Sequence, residues 1–287
     1  MSSVARPLST LEPVEHLAAA APGRAYLRFA RSGSRTVLER AFATSPLRLL
    51  APRGAASSAW VYASTFGGGL VGGDAIRMTV DVAPAARAFL ATQASTKVYR
   101  STTPTSQHLH AVVGDDALLA VVPDPIVCFA GSSFSQEQSY ELGPRATLVA
   151  VDWITSGRHA TGERWMFDRY ASRIDLRRGG RRILYDSLRL FREDGVVARR
   201  MGRFNVCLLA VMIGPLAQEA AARSVAVVGD LPIERRSDLV VSAAPLADDG
   251  ALLRMAGTGV EQVGATLREH LRFLVPLLGD DPWLRKW

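Results

Sequence analysis

The sequence predicts a mostly β fold, with stacked multi-stranded sheets in one domain and about two α-helices near the C-terminus. Short runs of alternating apolar and polar residues recur between turn signals through residues 24–191, which is typical of β-rich folds. No stretch before residue 200 has a convincing helical period. The clearest helical stripe lies in residues 260–275.

The predicted strands follow one another closely. In chain order the alternating runs are Arg24 to Arg31, Thr36 to Phe42, Trp60 to Thr65, Ile76 to Val82, Arg87 to Thr92, His108 to Val113, Ala117 to Val122, Phe134 to Leu142, Thr147 to Ile154 and Arg164 to Tyr170. Gly179-Gly180 then separates two alternating runs, which predicts a hairpin. In its first strand Ile174 and Leu176 alternate with charged residues, so the charges are expected on an exposed face.

The C-terminal third predicts strands and helices together. An apolar strand, "FNVCLLAVMIG", precedes Pro215, which is suited to open a helix over "LAQEAAAR". Two further strands are predicted at Leu239 to Ala243 and Ala251 to Met255. The last helix is predicted from Val260 to Val275, with Thr258 and Glu261 as a capping box and Pro276 as its stop.

Composition describes an ordinary globular chain. The 287 residues are 48% hydrophobic and 21% charged, which excludes disorder and a disulfide miniprotein.

One domain is expected over residues 24–287, after a flexible segment at residues 1–23. Cys128 and Cys207 each lie in an apolar run and are interpreted as reduced, buried thiols. With no secretory h-region and no spanning segment, the chain is expected in the cytoplasm, without a membrane partner.

Arginine is concentrated in one region. Residues 169–203 contain 11 Arg and 4 acidic residues, a local excess of +7 that equals the net charge of the whole chain. Clustered arginine can bind nucleic acid, phosphate or an acidic protein. The favoured interpretation is a solvated face of a strand pair, with no nucleic-acid partner.

Three polar blocks are the candidates for function. The first, Gly67 to Asp74, lacks the phosphate-loop and dinucleotide fingerprints and leads into a strand. Gly72 and Gly73 are therefore interpreted as a structural turn. The second block follows a strand and contains the single lysine before the chain end; its polar residues are Thr92, Gln93, Ser95, Thr96, Lys97, Tyr99 and Arg100. It can form a buried polar network, or Lys97 can activate a nucleophile or form a Schiff base.

The third block follows an apolar strand. Asp152 ends that strand, and Arg158, His159 and Glu163 follow in a glycine-flanked loop. Asp152 and Glu163 can act as a general acid and base or as metal ligands, and ion pairing with Arg158 is the structural alternative. The pair His108 and His110 shares a strand face and can bind a divalent metal if a third ligand is near. A solvated strand edge is the alternative for this pair.

Motifs of catalysis are missing from the sequence. It contains no G-x-S-x-G, H-E-x-x-H, C-x-x-C or GK[ST] pattern. Such a chain is more typical of a binding or scaffold protein than of an enzyme, so no catalytic residue is assigned. The alternative is a metal-dependent or Lys-dependent enzyme that uses Lys97, Asp152 and Glu163.

Together, the segments "GGGLVGGD", "TQASTKVYRS" and "DWITSGRHATGERWMFDRYASR" resemble the UreD (also UreH) family of urease accessory proteins. The resemblance runs from about Ala25 to Trp287. It implies a non-enzymatic chaperone for nickel insertion, with a β-rich fold and two helices. The implied partners are UreF, the GTPase UreG and the urease apoprotein, in a hetero-complex that contains this chain as a homodimer.

The resemblance also marks individual positions. The implied turn is Gly72 and Gly73, and the implied partner-binding or nickel-passage residues are Asp74, Thr92, Gln93, Lys97, Tyr99, Arg100, Asp152, Arg158 and Glu163. Ni²⁺ in transit needs oxygen donors that release it, so no tightly bound cofactor is expected and Ni²⁺ binds transiently. Asp74, Asp152 and Glu163 are the candidates for that weak binding.

Overall fold

The computed structural model describes residues 23–52, 57–232 and 234–284. The flexible segment predicted at residues 1–23 lies outside these ranges except for Gly23. The described part confirms a mostly β fold, with seventeen strands in two sheets and four α-helices. Strands and helices are numbered below in chain order.

The first sheet, sheet A, has seven strands. In spatial order they are β14 (Arg181–Phe191), β13 (Arg169–Arg178), β11 (Ser133–Leu142), β8 (Thr105–Val113), β5 (Ala75–Val82), β1 (Arg24–Ser32) and β2 (Arg35–Ala43). The five central strands are parallel to one another, and β2 and β14 are antiparallel strands at the two edges.

The second sheet, sheet B, has ten strands. Its main path is β16 (Leu239–Leu246), β17 (Gly250–Gly257), β15 (Val206–Ile213), β12 (Thr147–Thr155), β9 (Leu118–Val121), β6 (Arg87–Thr92), β4 (Ala59–Thr65) and β3 (Leu47–Leu50). Two short strands extend it beside β12: β10 (Ile126–Cys128) and β7 (Thr96–Val98). Strands β4, β6, β9 and β12 are parallel, whereas β12, β15, β17 and β16 are antiparallel.

The chain winds between the two sheets. From β4 to β13 it passes alternately through sheet B and sheet A, and parallel neighbours are joined through a strand of the other sheet. Parallel strands need a crossover connection, which is usually a helix. Here the opposite sheet supplies the crossover, so the two sheets enclose a shared interior.

Sheet B lies between two apolar layers. In β12, Leu148 and Ala150 face the interior between the sheets, whereas Val149 and Val151 pack toward the C-terminal helices. A strand that is buried on both faces has a near-continuous apolar sequence rather than an alternating one. This accounts for the apolar runs in β9, β12 and β15.

The helices differ from the prediction in number and extent, since about two were predicted and the described part has four. They are α1 (Val197–Met201), α2 (Gln218–Gly229), α3 (Val260–Leu271) and α4 (Leu274–Leu278). Helix α2 begins three residues after Pro215, because residues 214–217 form a turn that the Ala217 N–H closes onto the Gly214 carbonyl at 2.9 Å.

The prediction of a single helix from Val260 to Val275 is wrong. The segment forms two helices, and Pro276 lies inside α4 rather than after it. Proline is tolerated in a first helical turn because its missing N–H has no intrahelical partner there. The Thr258/Glu261 capping box is also wrong, since the N-cap is Gly259 and no side chain caps the helix. Thr258 instead continues the strand region, where its N–H donates to the Asp238 carbonyl at 2.8 Å.

The strand predictions fail where strands are very short. Strands β3, β7 and β10 have only three or four residues, too few for a visible alternation. The run from Arg164 to Tyr170 was also misplaced, because β13 begins at Arg169 and the preceding residues form a loop. Within the described ranges, no helix is long and apolar enough to cross a membrane.

The C-terminal segment provides a stability test. Trp283 packs against the layer between sheet B and the helices, whereas its neighbour Leu284 is 77% exposed. We predict that Trp283→Ala lowers the free energy of unfolding by about 2 kcal/mol, because it removes partly buried aromatic contacts. Leu284→Ala is the matched control and should change it by less than about 0.5 kcal/mol in urea denaturation. Equal effects would show that the indole contributes nothing to packing.

Candidate functional site

The three polar blocks of the sequence meet at one end of the fold. The Leu70 N–H donates to the Lys97 carbonyl at 2.8 Å, and the Tyr99 N–H donates to the Leu70 carbonyl at 2.9 Å. Strand β7 of the second block also pairs with β10, which pairs with the end of β12 before the third block. The sequence-distant segments are therefore joined by main-chain hydrogen bonds.

Aromatic and charged side chains complete this contact. The Tyr99 ring meets the Phe129 ring edge-on at 5.2 Å, and the Arg158 guanidinium lies 4.4 Å from the Phe129 centroid. Arg158 also pairs with both carboxylate oxygens of Glu163, which accepts from the Ala130 N–H at 3.2 Å. We call this surface the three-block layer; it consists of residues 69–74, 97–101, 129–131 and 158–163.

Ion pairing holds Glu163 in its charged form. The Arg158 guanidinium lowers the pKa of the Glu163 carboxyl, mainly through their hydrogen bond. Glu163 is therefore committed to a local ion pair, which is the structural alternative that the sequence left open for this residue.

The first block is a tight turn. Gly73 has a φ of +86°, which favours glycine, whereas Gly72 is restricted by a neighbour: a Cβ there would lie 1.7 Å from Ser101 Oγ. Asp74 closes the turn, since its carboxylate accepts from the Val71 N–H at 2.8 Å. The two glycines are thus needed for different physical reasons. Gly73 has a positive φ, whereas Gly72 leaves room for the side chain of Ser101.

The remaining residues of the second block separate into exposed and internal ones. Gln93, Lys97 and Arg100 are exposed. Thr92 lies inside, where its hydroxyl donates to Asp124 Oδ2 at 3.2 Å and accepts from the Asp124 N–H at 2.7 Å.

The histidines and cysteines form no metal site in the described part of the chain. His108 Nδ1 lies 3.4 Å from Glu137 Oε2, and His110 Nδ1 lies 2.8 Å from Ser139 Oγ. His159 is exposed. Among the described residues, no three His, Cys, Asp or Glu side chains are grouped so that they could hold a metal ion. Both cysteines are free thiols; Cys128 is buried, and burial raises its pKa to about 12.

Asp152 lies apart from the three-block layer, between the sheets. It belongs to β12 and faces strands β11 and β13 of sheet A. Gln136 Nε2 donates to Asp152 Oδ1 at 2.5 Å, the Ser172 hydroxyl donates to Oδ2, and the Tyr170 hydroxyl donates to Oδ1 at 3.3 Å. Three polar side chains from the opposite sheet thus hold one carboxylate.

The register of sheet A produces a polar row opposite Asp152. Gln107 in β8 is paired with Gln136 in β11, and Gln136 is paired with Ser172 in β13. Leu109, Phe134 and Ile174 are apolar neighbours of the row, whereas Gln138, two residues after Gln136, adds another buried polar side chain. The row and Gln138 therefore form a polar band in a mostly hydrophobic interior.

Burial raises the pKa of the Asp152 carboxyl to about 6. The hydrogen bonds from Ser172, Tyr170 and Gln136 oppose this shift, and the charge of Asp186 adds to it. The residue nevertheless keeps some solvent accessibility, because cavities reach it from two sides. Asp152 therefore ionises at a higher pH than an exposed aspartate does.

Three adjoining cavities cross the interior. The middle cavity, about 60 Å³, is lined by Gln107 and Gln136 of the polar row and by Asp124 and Asp152. The glycine-loop cavity, about 70 Å³, shares Ala63, Thr92 and Gln107 with it and reaches Gly68 and Ser95. The outer cavity, about 310 Å³, shares Asp152 with the middle cavity.

The outer cavity has an ion pair across it. Asp186 on β14 of sheet A pairs with Arg254 on β17 of sheet B, with Arg254 Nη2 2.6 Å from Asp186 Oδ2. Both residues line the cavity, together with apolar side chains such as Leu188 and Leu209. This pair joins the two sheets beside the edge strands β14 and β16.

The predicted site residues thus fall into two groups. Asp74 and Glu163 line none of the three cavities and have local partners in the three-block layer. Thr92 and Asp152 line the cavities. Lys97, Asp152 and Glu163, the residues of the enzyme alternative, share no contact: Lys97 is exposed, Asp152 is held between the sheets, and Glu163 is paired with Arg158.

Sequence reasoning missed most of the residues around Asp152. The signal for Gln136 was present, because it alternates with the buried Phe134 and Tyr140 in one strand and must share their face. No comparable signal marks Asp186 or Arg254, because their proximity depends on how the two sheets pack.

Many side chains of the arginine-rich region have partners within the protein. Arg169, Arg173, Arg182 and Arg192 each pair with a carboxylate, and the rings of Tyr185 and Phe191 contact guanidinium groups, including that of Arg189. As expected, Ile174 and Leu176 are buried on the opposite face of β13. This pattern favours the solvated strand face over a nucleic-acid surface.

Comparison with known proteins identifies the family. The family model described as UreD urease accessory protein matches residues 21–287. This chain belongs to the UreD family of urease accessory proteins. The resemblance carried by the three blocks is therefore confirmed.

Relatives from bacteria and plants agree with this assignment. A urease accessory protein UreD from Sorangium cellulosum is 51% identical over 92% of this chain and 84% of its own length. One from Anaeromyxobacter sp. is 43% identical, over 92% of this chain and 89% of the relative. Urease accessory protein D from Oryza sativa subsp. indica is 33% identical, over 95% of this chain and 99% of the relative. The relatives are named as accessory proteins rather than as enzymes.

The glycine turn of this UreD chain can be tested by a paired substitution. We predict that Gly72→Ala lowers soluble yield and melting temperature, because its Cβ would overlap Ser101 Oγ and approach Ser101 Cβ. Ser101→Gly in the same chain should recover part of the loss, since it removes both atoms. Gly229→Ala, where a Cβ meets nothing within 4 Å, is the control and should be neutral. Failure of Ser101→Gly to rescue would mean that another contact restricts Gly72.

The Asp152 carboxyl gives a pH test with a defined sign. Its folded-state pKa of about 6 is above its ordinary value of 3.8, so its contribution to stability is full below pH 3.8 and is lost as pH rises through 6. We predict that Asp152→Asn gains stability relative to the parent between pH 4.5 and pH 7.5, by on the order of 1–3 kcal/mol. Urea denaturation of both proteins measures this difference. A difference that is constant with pH would mean that the carboxyl is not strained by burial.

Proposed function

We propose that this UreD chain is a scaffold in urease maturation that carries Ni²⁺ through its interior. The observation that carries the proposal is the series of three adjoining cavities, which extends from Gly68 and Ser95 past Asp152 to Asp186 and Arg254. The proposed partners are UreF, the GTPase UreG and the urease apoprotein, within a hetero-complex that contains the chain as a homodimer.

The chemistry of the cavity lining suits a hard or borderline cation in transit. The middle cavity is lined by residues that carry amide, hydroxyl and carboxylate oxygens: Gln107, Gln136, Thr92, Asp124 and Asp152. Such oxygen donors bind divalent cations, and a site with one or two carboxylates releases them more readily than a closed set of His and Cys ligands. Ni²⁺ is therefore proposed as cargo and not as a resident cofactor.

The three-block layer is the proposed docking surface for a partner at one end of this route. Lys97 and Arg100 are exposed there beside the half-buried ring of Tyr99. The side chain of Val71 is exposed within the layer, and that of Phe66 is exposed beside it on the glycine loop. Apolar side chains surrounded by charges are the usual composition of a protein interface.

Two substitutions test transit separately from assembly. Asp152→Asn keeps the shape of the side chain and removes its charge, and Ala63→Met fills the junction of the middle and glycine-loop cavities. We predict at least a fivefold loss of urease activation for each, because the route loses a ligand or is blocked, with normal co-purification of the partners. Activation is measured as nickel-dependent urease activity after co-expression with urease subunits and the other accessory proteins.

Each variant has a matched control. Asp116→Asn changes an exposed aspartate that pairs with Arg145, and Ala171→Met adds the same side chain on the outer face of sheet A. Both should activate urease as the parent does. Full activation by Asp152→Asn and Ala63→Met with intact complexes would end the passage proposal and leave the scaffold proposal. Lost co-purification would instead assign these positions to assembly.

A further inference from the structure

The outer cavity is lined by a positively charged side chain, that of Arg254. Arg254 occupies an interior-facing position of β17, where its neighbours on the same face are Leu252 and Ala256. From this position its guanidinium reaches across the outer cavity to Asp186 on the opposite sheet.

The contact of Arg254 is a carboxylate that faces the cavity. The side chain of Arg254 is 52% exposed, whereas that of its partner Asp186 is only 22% exposed. The arginine thus approaches from the solvent side and covers the carboxylate. Because its half-exposed side chain is long and flexible, it can leave this position at small cost.

Asp186 and Asp152 belong to the same cavity. Asp152 lies at its inner end, where the outer and middle cavities meet. On sheet B, Asp152 and Arg254 are both in register with Leu209 on the strand between them, so their backbones are about 9–10 Å apart. A cation that moves between Asp152 and the solvent on this side passes Asp186 and therefore meets Arg254.

We propose that Arg254 is a displaceable gate: its guanidinium pairs with the Asp186 carboxylate until a divalent cation replaces it there. This inference rests on the proposed function and adds a residue that controls the exchange. With Arg254 turned into solvent, two carboxylates face one doubly charged ion, so the charges in the cavity balance. With Arg254 in place, Asp186 is neutralised and the positive charge repels other cations.

The gate makes a prediction about Ni²⁺ affinity. The purified full-length chain is titrated with Ni²⁺ alone by isothermal calorimetry, with folding checked by circular dichroism. Arg254→Gln removes the competing cation and should bind Ni²⁺ about tenfold more tightly than the parent. Arg254→Lys keeps the charge and should bind as the parent does. Adding Asp186→Asn to Arg254→Gln should abolish the gain.

Arg178→Gln is the matched control. Arg178 also pairs with a partly buried aspartate, Asp249, at 3.0 Å, but neither residue lines any of the three cavities. Its removal should leave the Ni²⁺ affinity unchanged. An equal gain for Arg178→Gln would assign the effect to net charge and overturn the gate, as would an unchanged affinity for folded Arg254→Gln.

Different experimental results would contradict the gate proposal and the passage proposal. If Ala63→Met blocks urease activation but Arg254→Gln leaves the affinity unchanged, the passage stands and the gate is wrong. If Arg254→Gln gains affinity through Asp186 but Ala63→Met activates fully, the cation exchange stands and transit through the chain is wrong.

Discussion

The winding of the chain between the two sheets is the constraint on which the rest of the molecule depends. Strands β5, β8 and β11 of sheet A are each followed by a strand of sheet B, so residues far apart in sequence enter one interior in fixed register. A one-residue slip would reverse the faces of every side chain in a strand. The positions of Gln107, Gln136 and Ser172 in one row are a direct result of that register.

A polar band inside an apolar interior lowers the stability of the fold, and packing alone does not require such a band. Asp152 receives hydrogen bonds from Gln136, Ser172 and Tyr170, yet burial still raises its pKa. Replacement of such groups by apolar side chains is often neutral or stabilising in proteins. The proposed passage would give the band a role, since the band lies where the cavities meet.

The three-block layer and the interior are held in place by different kinds of interaction. The three-block layer is fixed by main-chain pairing, by the contact of Tyr99 with Phe129, and by the Arg158–Glu163 ion pair. The interior is fixed by sheet register and by contacts between sheets, including the pair of Asp186 with Arg254. The arginine-rich strands β13 and β14 add a network of ion pairs on the outer face, where exposed pairs contribute little individually.

The sequence by itself determined the fold class, most strands, the β13–β14 hairpin and the UreD family, because alternation, glycine turns and contiguous motifs are local signals. It also singled out Thr92, the last residue of β6, and Asp152, a carboxylate within the apolar strand β12. Very short strands and the break between α3 and α4 escaped it, because three or four residues carry no period and because Pro276 is compatible with a first turn. Only the tertiary structure decided that Glu163 pairs with Arg158 at the surface, that Gln136 and Ser172 hold Asp152, and that Asp186 meets Arg254. Arg158 and Glu163 are five residues apart in a loop that has no regular period. The contacts of Asp152 and of Asp186 join residues 16 to 68 positions apart across the two sheets, and no local pattern encodes long-range register and packing.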